Sequence, residues 1–183
     1  MIRELRIAIV AAVVLTVVLG LAYPLAMTGA AQVLWPRKAD GDPTLIGKDY
    51  SKEKSLFQSR PSVTGYAPDA TFFNNQGPNQ KALADQLKGY LKAYLKREQP
   101  YTPGLTAADV PPDAVTTSAS GVDPQISYDN ARIQANRVAK LRALPLSRVL
   151  ALVDDASSQP LLGLGGPTSV NVVKLNDALE ALR

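Results

Sequence analysis

The chain has 183 residues, 46% hydrophobic and 20% charged, with a formal net charge of +4 and a pI near 9.3. It contains neither cysteine nor histidine, which excludes disulfides, thiolate chemistry, His/Cys zinc sites and Ser-His-Asp triads. The small basic excess is spread along the chain with no Lys/Arg block among aromatics, which argues against a nucleic-acid partner.

No charged residue occurs between Ile7 and Trp35. At ~1.5 Å per residue, Ile7–Ala26 covers roughly 30 Å, the thickness of a bilayer's hydrocarbon core. Residues 1–35 are read as an N-terminal anchor, with a transmembrane helix over about 7–26. Tyr23 and Trp35 lie toward its far end, where amphipathic rings favour the interface. Pro24 is expected to kink the helix or to mark its exit from the core. The competing reading is a cleaved signal peptide, with Arg3 and Arg6 in front and Gly29-Ala30-Ala31 as the cleavage site. The apolar run is longer than the ~7–15 residues of a signal core, which favours a retained anchor. Ala8, Ala12, Thr16 and Gly20 recur every four residues, a stripe of small side chains that predicts a helix-packing face. Tyr23 apart, Thr16 is the only polar side chain in the span, so the helix by itself offers no ion path. Arg3 and Arg6, offset by Glu4, precede the span, and Arg37, Lys38, Lys48, Lys52 and Lys54 follow it; the count favours a cytoplasmic downstream side, but large domains translocate largely regardless of charge, which leaves the orientation open.

Beyond the anchor, Pro36 to Asp49 reads as a polar linker broken by Gly41, Pro43 and Gly47. Residues 50–183 make one soluble domain by length. Ser55 to Val63 can hold a short strand, and Gly65 to Pro78 is loop-like. The clearest helix is Gln80 to Glu98, with Asn79 as its N-cap. Its Leu83, Leu87, Leu91, Tyr94 and Leu95 form an apolar face assigned to the core, opposite Lys88, Lys92 and Lys96. Pro103 to Pro124 is irregular. Ser127 is placed to cap a helix from Tyr128 to Arg142, with Ala131, Ala135, Val138 and Ala139 inward. A third helix runs from Leu146 to Asp155. A Gly-rich turn lies between Ser157 and Pro167, a strand at Val170-Asn171-Val172-Val173, and a closing helix at Leu175 to Leu182. Helices dominate and strands are few, so the class is α+β, a mainly helical domain behind one transmembrane helix.

Catalytic motifs are incomplete. Ser51-Lys52-Glu53-Lys54 has the Ser-x-x-Lys spacing of acyl-serine enzymes but lacks their Lys-Thr-Gly. Gly163-Leu164-Gly165-Gly166 lacks the rest of a phosphate loop, and Pro167 follows it. Asp109, Asp113, Asp123 and Asp129 fit no calcium-loop spacing and read as caps and turns. No catalytic residue, metal ligand or resident cofactor is expected. The densest stretch is Thr116-Thr117-Ser118-Ala119-Ser120-Gly121-Val122-Asp123-Pro124-Gln125-Ile126-Ser127. Its small hydroxyls lead into a helix N-terminus, where backbone N–H groups favour anions. A tightly bonded loop that buries its hydroxyls and caps the helix explains the same residues.

That stretch also carries a resemblance. Gly20-Leu21-Ala22-Tyr23-Pro24-Leu25, Thr28-Gly29, Leu45-Ile46-Gly47 and Phe57-Gln58-Ser59-Arg60-Pro61-Ser62 stand in order before it. Arg137-Val138-Ala139, Val170-Asn171-Val172 and Leu175-Asn176 follow it. Together with the single anchor, this ordered set resembles the C-subunit (KdpC) family of the Kdp potassium-transporting ATPase. Two departures are local: Phe72-Phe73-Asn74-Asn75-Gln76-Gly77-Pro78-Asn79 replaces a Ser/Gly/Asn-rich run, and Gln125 replaces a frequent His. The resemblance implies a non-catalytic accessory subunit of an ATP-driven, high-affinity potassium importer in the bacterial inner membrane. Its implied partners are a channel-like potassium-translocating subunit, a P-type ATPase subunit and a small single-helix subunit. It further implies a catalytic chaperone that raises the ATPase subunit's affinity for ATP, with nucleotide contacts at Ser120, Gly121 and Gln125. ATP and potassium would act at the complex. The architecture it implies places the soluble domain outside the cytoplasm, beyond the reach of cytoplasmic ATP, which favours a structural role. The alternative is a tethered extracytoplasmic solute-binding or enzymatic domain acting alone.

Overall fold

A computed structural model describes residues 1–36, 41–70, 75–159 and 166–182. The chain divides into two compact units, Met1–Pro43 and Thr44–Arg183.

The first unit is one continuous helical run, Ile2–Leu34. It comprises α1 (Ile2–Val17), a π-turn (Val18–Ala22) and α2 (Tyr23–Leu34). The π-turn sits where Pro24 demands it. Proline has no N–H for the Gly20 carbonyl, and its ring collides with a carbonyl four residues back. The helix widens just upstream, and the Tyr23 N–H reaches the Val18 carbonyl, five residues earlier. Pro24 does not end the helix, which continues to Leu34. No residue in these three elements is buried, and the exposed surface is Ile, Val, Leu and Ala, which suits lipid rather than water. The run is 33 residues, about 50 Å, so its ends extend past a hydrocarbon core of about 30 Å. This fits a membrane-anchored protein.

The second unit is mainly helical around a small antiparallel sheet. Its helices are α3 (Lys81–Glu98), α4 (Tyr128–Arg142), α5 (Leu146–Asp155) and α6 (Val172–Glu180). Its strands are β1 (Gln125–Ser127), β2 (Ser157–Ser158) and β3 (Ser169–Asn171), in the order β1-β3-β2. Ile126 faces Val170 across β1 and β3, and both are buried. The main core gathers Phe57, Ile126, Val170, Val172, Leu175 and Leu179 against Ala131, Ala135 and Val138 of α4 and Val149 and Val153 of α5. The alanines let α4 lie close to its neighbours. A chain reversal with Ala143 at φ 53 joins α4 to α5. A second cluster joins Tyr94, Leu105 and Ala114.

The α+β class holds, with corrections in detail. Residues 55–63 form no strand. The strand expected over 170–173 ends at Asn171, whose side chain accepts the Lys174 N–H at 3.0 Å and starts α6 there. An N-cap ends an extended run even where two β-branched residues follow it. α3 begins after Gln80, not Asn79, and has no side-chain cap. Only Tyr94 and Glu98 of α3 are buried. Leu83, Leu87, Leu91 and Leu95 are only half-buried, because a row spaced by four drifts around the helix while the domain grips only one side of it; of these, Leu95 packs against the Tyr94 cluster. Gly163 to Gly165 of the Gly-rich turn lie outside the described residues.

Candidate functional site

Leu56 to Ser62 threads the domain outside any helix or strand. Its buried backbone groups still require partners, and side chains supply them. The Phe57 N–H donates to Asn176 Oδ1 at 2.9 Å, and Asn176 Nδ2 donates back to the Phe57 carbonyl at 3.0 Å. Gln134 repeats the exchange with Gln58, at 2.7 and 3.1 Å. Arg137 Nη1 donates to the carbonyls of Leu56, at 2.9 Å, and Lys54. Each primary amide pairs N–H with acceptor and C=O with donor, as a neighbouring strand would.

This clamp contains a buried charge. Arg137 and Glu98 are 1% and 0% exposed, and Arg137 Nε lies 3.1 Å from both Glu98 oxygens. Burial draws the Arg137 pKa down and the Glu98 carboxylate opposes it; the guanidinium stays charged. Arg97 Nε bonds Glu98 from the surface side at 2.7 Å and stacks over the Tyr94 ring. The Tyr94 hydroxyl donates to Asn130 Oδ1 at 2.9 Å. Burial first, and the Glu98 charge second, raises the pKa of that phenol.

The serine-rich loop packs on the same segment. Arg60 donates Nη1 to Asp123 Oδ2 at 3.0 Å, Nε to the Thr116 carbonyl, and Nη2 to Thr116 Oγ1 and the Thr117 carbonyl. Ser62 Oγ donates to the Gly121 carbonyl at 2.6 Å. Gly121 has φ +72, and a Cβ there would lie 2.6 Å from Thr64 Oγ1. The Gly47 N–H bonds the Val122 carbonyl at 2.6 Å, and a Cβ on Gly47 would sit 2.7 Å from the Asp123 carbonyl oxygen. Tyr66 donates to the Arg60 carbonyl, and burial pushes its phenol up to about 12.

Ser120, Gly121 and Gln125 occupy three different settings. Ser120 Oγ accepts the Val122 N–H at 3.2 Å. Gly121 is buried, and its N–H is taken by Ser118 Oγ at 3.0 Å. Gln125 opens β1 with an exposed side chain, and its N–H is held by Asp123 Oδ1 at 2.9 Å. The start of α4 is closed in the same way. Asp113 Oδ2 accepts the Ser127 N–H and Asn130 Nδ2, and Ser127 Oγ accepts the Asn130 N–H as foreseen. A carboxylate of the domain itself thus stands where a helix N-terminus would draw an anion. Of the other aspartates, Asp109 closes a capping box with Thr106, whose hydrogen bonds lower its pKa. Among the described residues no His/Cys/Asp/Glu group could hold a metal ion. On the anchor, Ala8, Ala12 and Thr16 lie on α1 and Gly20 lies in the π-turn; a Cβ on Gly20 would meet Thr16 Cγ2 at 3.9 Å.

Residues 5–181 match the family model described as KdpC, the c chain of the K+-transporting ATPase. The chain belongs to the KdpC family. Potassium-transporting ATPase KdpC subunits of Polaromonas naphthalenivorans strain CJ2 and Caulobacter vibrioides strain NA1000 / CB15N are 46% and 43% identical to it. The alignments cover 98% and 99% of this chain, and 95% and 94% of those proteins. The KdpC subunit of Rhodopseudomonas palustris strain BisB18 is 41% identical over the full length of both. In this KdpC chain the internal clamp is not among the features that the sequence pattern predicts. Its signal is present in the sequence: Asn130, Gln134 and Arg137 follow helical spacing between the inward alanines of α4, a polar row on an apolar face.

Proposed function

We propose that this KdpC-family chain is a non-catalytic accessory subunit of a potassium-transporting ATPase, anchored in the bacterial inner membrane by its N-terminal helix. Its soluble domain is extracytoplasmic and stabilises the assembled complex. The observation that carries a structural role is the state of the serine-rich loop. The N–H groups of Gly121, Val122, Gln125 and Ser127 all bond side chains of the domain itself, so the loop offers no ready cradle for a nucleotide's phosphates. The partners are a channel-like potassium-translocating subunit, a P-type ATPase subunit and a small single-helix subunit. The stripe of Ala8, Ala12, Thr16 and Gly20 docks on one of them within the membrane. Replacing Ala12 and Gly20 by Leu is expected to reduce co-purification of the complex; undiminished recovery of every partner would remove the stripe from the interface.

The domain's side is decided by labelling. Ala108 is exposed, and the chain has no cysteine, so Ala108→Cys gives a single reporter. In cells with a permeabilised outer membrane, an impermeant maleimide is expected to label it. Labelling only after lysis of the inner membrane would place the domain with cytoplasmic ATP. The catalytic-chaperone reading, with Ser120, Gly121 and Gln125 at the nucleotide, would then lead. The exposed side chain of Gln125 is the feature that favours that second reading, and loss of photo-ATP labelling in Gln125→Ala is its test.

A further inference from the structure

α3 is held by the domain near its C-terminal end, where Tyr94 and Glu98 are buried. Along its outward side Lys81, Lys88, Lys92 and Lys96 lie within one narrow sector of the helix, and all are exposed. None of the four takes part in an ion pair among the described residues. Asp85 is the one acid in that sector. Leu91 and Leu95 border the lysine row and line an open, mainly apolar groove with Lys88, Lys92 and Lys96. A row of flexible cations beside partly uncovered leucines is the pattern of a helix that lies along an anionic bilayer surface. A lysine stem can cover apolar surface while its ammonium reaches the headgroups.

The chain itself supplies the surface. The anchor helix ends at Leu34 and the second unit begins at Thr44, a stretch that extends to about 35 Å at most. The bilayer is therefore always within reach of the domain, at a high effective concentration. A lysine near an anionic surface is worth about fivefold in binding, so three or four unpaired lysines suffice to bias a tethered domain. We infer that the Lys81–Lys96 face of α3 binds anionic lipid headgroups and lays the soluble domain against the membrane that anchors it. This rests on the anchor being retained.

The test uses the full chain reconstituted in phosphatidylcholine vesicles with either no or 30% phosphatidylglycerol. Gly89 lies on the exposed side of α3, and a Cβ there meets nothing within 4 Å, so Gly89→Cys can carry a fluorophore. Quenching by headgroup-nitroxide lipid is expected to rise severalfold with phosphatidylglycerol. It should fall back toward the level without phosphatidylglycerol in 0.5 M NaCl and in the Lys88→Gln, Lys92→Gln, Lys96→Gln variant, whose three lost lysines lower the association constant by about a hundredfold. Equal quenching in both vesicles, or no effect of the triple variant, overturns the inference. So does a label that ignores lipid yet becomes shielded when the other subunits assemble, which would make the occupant an acidic protein surface. Co-flotation of the unlabelled chain with neutral vesicles reports the anchor separately.

Discussion

Gly121 and Arg60 hold the serine-rich loop by different means. Gly121 combines a left-handed backbone with the close approach of Thr64, two conditions that only glycine meets without strain. Gly121→Ala is expected to destabilise the domain by about 1–3 kcal/mol, seen as a lower midpoint in denaturant. Adding Thr64→Ala should restore part of that loss, because it removes the hydroxyl contact and leaves the backbone strain. Arg60 spans a carboxylate, a hydroxyl and two carbonyls, a fork that lysine cannot reproduce. Arg60→Lys should cost about 2 kcal/mol and loosen the loop, measured by faster amide exchange at Gly121 and Val122. Tyr66 gives a pH signature. Its folded pKa is raised from 10.0 to about 12, so the fold favours the neutral phenol. The stabilisation is complete below pH 10 and is lost as pH rises toward 12. The melting temperature of the wild type should therefore fall more steeply from pH 9 to pH 11 than that of Tyr66→Phe; parallel slopes would remove Tyr66 as the cause.

At the scale of elements, the helices were legible where local signals and packing agree. Ser127 caps α4 as its sequence position suggests, and the alanines of α4 and the two valines of α5 point inward. The strands were not legible, since two- and three-residue strands carry no period. The leucines of α3 misled because apolar spacing shows a face but not what covers it. The segment before Val63 misled more instructively: it forms no strand, and the partners of its buried amides come from side chains of α4 and α6. This organisation makes Arg137 more than half of an ion pair. Glu98→Gln should cost about 3–5 kcal/mol, because Arg137 is left charged and buried. Arg137→Met should cost at least as much, and combining it with Glu98→Leu should not restore stability, since the Lys54 carbonyl loses its Arg137 donor and the Leu56 carbonyl keeps only Gln58 Nε2. Full recovery in the double variant would reduce the site to a charge pair that an apolar pair can replace.

At the scale of the molecule, the buried polar residues define an order of events. The Phe57 backbone pairs with a side chain 119 positions later. The ribosome reaches Asn176 about 6–24 s after Phe57, at ~5–20 residues per second. In that interval the N-terminal helix can already be in the membrane while the segment behind it has no partner for its amides. The domain closes only when α6 arrives, so α6 acts as a latch on a protein already fixed in place. A chain ending before Lys174 should insert normally yet leave residues 53–62 open to protease, and a subunit interrupted late in translation would reach its membrane address in a form that quality-control proteases can recognise.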